Sequence, residues 1–172
     1  ATTGATTPVG VMTTFVALSQ FETGDYGDAI ESLRSALKDG SGRLSSEARI
    51  RLARIYIRMG SLTLAATELE RAESELRTSP NEGLQVLFLL VRGEWELESG
   101  QPREAQATFE RAVNAWQESS PEPAVVEARA YFGILTARAG HVDAGRRSVR
   151  AALEAMIAGL VALKGPRHGG AG

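Results

Sequence analysis

The stretch Leu52–Ala72, LARIYIRMGSLTLAATELERA, decides how the rest of the chain is read. Leu52, Ala53, Tyr56 and Ile57 recur at helical spacing and share one face. Gly60 closes that run, and Leu62, Ala65, Leu69 and Ala72 lay down a second apolar stripe of the same period. Two amphipathic helices meeting at a glycine make a helix hairpin.

Working outward, the same pattern returns around Gly24, Gly100 and Gly140. Twelve residues after each of the four glycines stands an alanine: Ala36, Ala72, Ala112 and Ala152. Nine after each is a larger apolar residue, Leu33, Leu69, Phe109 or Val149, and five after is a small one, Ala29, Ala65, Ala105 or Gly145. Seven before each is again small: Ala17, Ala53, Gly93 and Gly133. Small residues let two antiparallel backbones approach, and the large ones fill the space between neighbouring hairpins. The turn glycine supplies a conformation that other residues adopt only with strain. A lone hairpin leaves one face exposed, so the four units are expected to stack as a solenoid.

These residues resemble the tetratricopeptide repeat family, built from helix-turn-helix units of about 34 residues. The match is fullest in the second unit, through Leu52, Ala53, Tyr56, Gly60, Ala65, Leu69 and Ala72. The third keeps Gly93, Gly100, Ala105, Phe109 and Ala112, with Arg92 and Glu96 where the family has Leu and Tyr. The first keeps Ala17, Gly24, Tyr26, Ala29 and Ala36, with Gln20 at the Tyr position. The fourth keeps Phe132, Gly133 and Gly140 and puts Gly145 in place of Ala. The family's early Trp is absent, its places being taken by Thr13, Arg49, Leu89 and Arg129. The resemblance covers about residues 9–160 and implies an all-α, right-handed superhelical solenoid of about eight helices. The turn glycines lie 36, 40 and 40 residues apart, and prolines come late, at Pro80, Pro121 and Pro123. The second helix of each hairpin is therefore expected to run long.

The expected organisation is a flexible leader over 1–7, one domain over 8–164 and a disordered tail over 165–172. The repeats fall at about 10–43, 46–79, 86–119 and 126–159, with the last helix extended. Helix 1 follows Pro8, Ser45 or Ser46 caps helix 3, and Pro102 sits in the first turn of helix 6.

Composition narrows the function. A net charge of −2 argues against nucleic-acid binding, which needs a strongly basic face. With no cysteine, disulfides, thiolate metal sites and cysteine nucleophiles are excluded. No apolar run approaches the roughly 20 residues of a membrane span, so no insertion is expected, and a cytoplasmic location is favoured over a periplasmic or secreted one. The two histidines, His141 at a turn and His168 near the end, offer no paired ligands and no Ser-His-acid arrangement. No phosphate loop sits between a strand and a helix. The chain is thus expected to be no enzyme, with no catalytic residue, metal or cofactor, and its partner to be a protein or peptide.

In the family, the first helices of the hairpins line a concave groove. The resemblance places Leu18, Phe21, Arg54, Ile57, Arg58, Glu94, Leu97, Glu98, Ile134 and Arg138 on that groove. Relatives that clamp a C-terminal carboxylate need several convergent donors there. Here the matching positions hold a single arginine, Arg54, so that mode is disfavoured. Arg58, Glu98 and Arg138 take one position in three successive repeats, and Arg54 precedes Glu94 in the same way. Two readings stand: a groove for a peptide of both charge signs, or a ladder of cross-repeat ion pairs. Trp95 and Trp116 read as packing residues. The last helix carries Met156, Ile157, Leu160, Val161 and Leu163, an apolar set that points to a homo-oligomer or to a flanking domain. Two functions follow: an adaptor with a binding groove, or a structural or regulatory segment of a larger bacterial signalling or secretion protein.

Overall fold

The structure, a computed structural model, describes residues 16–17, 19–39, 43–116 and 123–163. Helical residues at 16–17 and 19–23 form α1. Seven helices follow: α2 (Tyr26–Asp39), α3 (Arg43–Arg58), α4 (Leu62–Thr78), α5 (Glu82–Glu98), α6 (Pro102–Ala115), α7 (Pro123–Arg138) and α8 (Val142–Leu163). No strand occurs among the described residues. The leader, the tail, the start of α1 and Leu18 lie outside them.

The four turns are built alike. Gly24, Gly60, Gly100 and Gly140 have φ between +73° and +97°, and they alone have positive φ among the described residues. Beside Gly60, the amide of Ser61 donates to the Tyr56 carbonyl at 2.8 Å and that of Gly60 to Ile57 at 2.9 Å. The same two bonds recur at the other three turns, closing the last carbonyls of each first helix. Beyond each turn, Ala29, Ala65, Ala105 or Gly145 bonds back to the residue after the glycine and starts the second helix.

Packing explains the columns of small and large residues. Ala29, Ala65, Ala105, Leu69, Phe109, Ala72 and Ala112 are fully buried between the hairpin helices. In the third hairpin, a Cβ on Gly93 would lie 2.5 Å from the Phe109 ring, so the largest filler stands against a residue with no side chain. In the fourth, a Cβ on Gly145 would lie 2.4 Å from the Gly133 carbonyl oxygen, and backbone touches backbone.

Stacking sets the curvature. Each second helix packs on the next first helix, α2 on α3, α4 on α5 and α6 on α7. First helices also touch one another, α3 with α5 and α5 with α7, whereas α4 and α6 do not meet. The wall therefore closes on the side of the first helices, which form its inner face.

Two local expectations are corrected. Ser45 and Ser46 do not cap α3 but lie inside its first turns, buried, with their hydroxyls donating to Glu75 at 3.0 Å. The helix begins earlier because a carboxylate on α4 satisfies both. Extra length is not confined to second helices: α2 and α6 have 14 residues each, while α3, α5 and α7 have 16, 17 and 16. Leucines and valines of α5 and α7 continue their buried faces upstream, so the longer spacing is taken up there. The N-cap of α5 is Asn81, whose side chain accepts from the Leu84 amide at 2.9 Å.

Candidate groove on the inner face

The centre of the inner face is assembled outward from Gly93. Because that position lacks a side chain, Phe109 lies flat beneath α5, and Tyr131 of α7 stacks on it at 4.8 Å with planes 8° apart. The Tyr131 hydroxyl then reaches Glu94, donating at 3.3 Å. Glu94 is buried, with only 5% of its side chain exposed. It is held by Arg54 of α3, whose Nε and Nη2 donate to its two oxygens at 3.0 and 2.8 Å. Nη2 also donates to Glu127 of α7 at 2.6 Å. One guanidinium thus ties three successive hairpins. Arg58 stands further out, 3.6 Å from Glu94 and 46% exposed.

Burial alone disfavours the charge on Arg54, but the attraction of Glu94 and Glu127 outweighs it and holds the guanidinium protonated more firmly than a free arginine. Arg49 is held in the same direction: burial opposes its charge, and Glu75 and Glu68 overcome that opposition. For Tyr131, burial first and then Glu94 push the phenol up, against a smaller pull from Arg58 and Arg54.

The predicted groove residues divide by depth. Ile57 and Glu94 are buried and make the floor, where the sequence placed them on an exposed stripe. Phe21 is half-buried, tilted against Tyr26 at 5.8 Å, and lines a small hollow with Arg51 and Arg54. Arg58, Leu97 and Glu98 surround a second hollow with Ile57, Glu94 and Tyr131. Ile134 and Arg138 are exposed further along α7. The cross-repeat ion pairs of this face form among Arg54, Arg58, Glu94 and Glu127; among the described residues Glu98 and Arg138 join none. Of the three residues at the position of Arg58, Glu98 and Arg138, Arg58 reaches the next repeat, 3.6 Å from Glu94.

Glu127 and Tyr131 went unnoticed in the sequence. They precede Ile134 and Arg138 on the same face of α7, at steps of four and three, and extending that stripe upstream would have found them. Trp95 packs as expected: its indole nitrogen donates to the Leu62 carbonyl at 3.0 Å, with Arg92 over its ring at 4.9 Å. Trp116 is half-buried against the core. On α8, Met156, Ile157 and Val161 are 51%, 60% and 66% exposed; the side chains of Leu160 and Leu163 lie outside the described set. No described helix is long and apolar enough to cross a membrane, and no described cluster of His, Asp and Glu is arranged to hold a metal.

The sequence profile of the tetratricopeptide repeat-like domain matches residues 5–130. Among curated proteins none matches. Among solved structures the chain is similar to the signal transduction ATPase with numerous domains that carries a tetratricopeptide repeat sensor, from Pyrococcus horikoshii. The identity is 15% and the TM-score 0.76, over 87% of this chain and 23% of that one. It is also similar to BtubC from P. vanneervenii, at 17% identity and a TM-score of 0.67, over 87% of this chain and 63% of that one. The chain therefore spans under a quarter of the first protein and under two thirds of the second, and at such identities the likeness is one of fold.

Proposed function

From the premise that the chain belongs to the tetratricopeptide repeat-like family, whose typical role is protein interaction, we propose that its inner face binds a peptide or helix of a partner protein. The observation that carries this reading is the contrast in charge pairing along that face. Arg54 and Glu94 satisfy each other on the floor, whereas Glu98 and Arg138 are exposed without an ion-pair partner among the described residues. Between the charges lie apolar surfaces from Ile57, Leu97, Tyr131 and Ile134. A partner segment of mixed charge with an apolar side chain between its charges matches that order. No catalytic step enters the proposal.

The test is charge reversal at the rim. Glu98→Lys is expected to weaken partner binding by about tenfold while the melting temperature stays unchanged, because an exposed charge contributes little to folding. Unchanged binding, or a fall in melting temperature that accounts for the loss, overturns the reading.

A second reading is that the chain serves as a segment of a larger signalling assembly and packs through its terminal helix. The exposed apolar residues of α8 favour it, as does the repeat sensor that forms part of the similar signalling ATPase.

A further inference from the structure

Two residues before the turn glycines Gly24, Gly60, Gly100 and Gly140 stand Glu22, Arg58, Glu98 and Arg138, so the sign of charge alternates through all four hairpins. All four side chains are exposed, and Arg58 and Glu98 are so in hairpins covered on both sides, which makes exposure a property of the position within the repeat. Among the described residues Glu22, Glu98 and Arg138 join no ion pair. Arg58 lies 3.6 Å from Glu94, whose two oxygens Arg54 already bonds. Neighbours in this row are therefore opposite in sign without closing on one another. One residue further back runs an apolar column, Phe21, Ile57, Leu97 and Ala137, each buried or half-buried.

We infer that the inner face takes an extended, proline-rich segment of the partner whose charges alternate in sign at every third residue. The inference rests on the groove reading and narrows it to one conformation and one charge order. The spacing comes from the packing of the first helices: α3 touches α5, α5 touches α7, and Phe21 and Glu22 share a hollow with Arg51 and Arg54 of α3. Helices so packed have axes about 8–10 Å apart. Three residues of polyproline II advance about 9 Å and complete one turn, so every third side chain returns to the wall. A β-strand turns alternate side chains to opposite faces, which points every second charge at a three-residue step away from the wall. An α-helix meets all four charges only at seven-residue steps, which takes about 22 residues and a straight rod of about 33 Å. The wall curves, and a segment without internal hydrogen bonds can follow it.

The probe is a fluorescein-labelled ten-residue peptide with lysine at its positions 1 and 7, glutamate at 4 and 10, and proline and leucine between them. Two controls keep its composition: one groups the signs, with lysine at 1 and 4 and glutamate at 7 and 10, and the other alternates them at every second residue. Fluorescence anisotropy at low salt is expected to show the first peptide binding about tenfold more tightly than either control, since exposed charge pairs are weak singly and act here as a set. Exchanging two charges of the chain, Arg58→Glu with Glu98→Arg, places two negative positions before two positive ones and should make the grouped peptide the tighter ligand. Equal binding of the three peptides to the native chain, or none, overturns the inference. So does an unchanged order of preference in a double variant with the native melting temperature. Three equal affinities that Glu98→Lys lowers together would retire the charge order and spare the groove.

Discussion

The second and fourth hairpins share a turn and a spacing, yet they are fastened by different means. In the second, Arg49 of α3 bonds Glu68 at 3.0 Å and Glu75 at 2.7 Å on α4, with Ser45 and Ser46 on the same Glu75. In the fourth, Gly133 and Gly145 let the backbones meet, and the polar tie between α7 and α8 is Ser148 donating to the Arg129 carbonyl at 3.1 Å. The second hairpin is covered on both sides, and its inner face is locked by Arg54. The fourth spends its small residues on closeness and leaves an apolar stripe outside. The shared columns fix the turn and the crossing, and the residues between them decide how each hairpin is fastened.

The largest effect is expected from Arg54→Met, which strips a buried carboxylate of its bidentate partner. The cost should be about 3 kcal/mol, read by denaturant unfolding. A loss no greater than that of an exposed pair would mean that Glu94 is not held by this clasp. Next comes Gly145→Ala, which makes the fourth hairpin match Ala29, Ala65 and Ala105 in the others. The added methyl would sit 2.4 Å from the Gly133 oxygen and 2.7 Å from the Ala137 nitrogen. The overpacking, about 1–3 kcal/mol, should exceed the gain of about 1 kcal/mol in helix propensity. A more stable variant would show that the close crossing is dispensable.

The turns should not distinguish the hairpins. Gly60→Ala and Gly140→Ala each force a side chain into positive φ with open space around it, for about 1 kcal/mol apiece, measured the same way. Unequal losses would break the equivalence of the four turns. Glu127→Gln, at a carboxylate 47% exposed, should cost under about 1 kcal/mol. Smallest is the alkaline effect of Tyr131. Its phenol is raised in the folded state, so the stability it adds is present below the ordinary tyrosine range and fades as pH rises through the raised value. Tyr131→Phe should remove that alkaline component, seen as a flatter dependence of melting temperature on pH above about 10.

The fold was legible because it is written in recurrences. Four glycines, each flanked by small residues at fixed steps, carry the turn and the crossing together, and the structure places all four at equivalent bends. The groove was less legible, since depth is not periodic. Ile57 and Arg58 are neighbours in sequence, but one lies on the floor and the other at the rim. The ion pair expected at equivalent positions forms between Arg54 and Glu94, but Arg54 also reaches across two hairpins to Glu127, a link that depends on curvature rather than on repeat register. Ser45 and Ser46 were misread because a cap is a local signal, while Glu75, which satisfies them, is about 30 residues away.

The claim that the inner face meets the partner is tested most directly by a photoreactive residue placed at position 98, with a second placed at position 71 on the exposed side of α4. The account predicts that the partner crosslinks at 98 and not at 71. Crosslinking at 71 with none at 98 would contradict it.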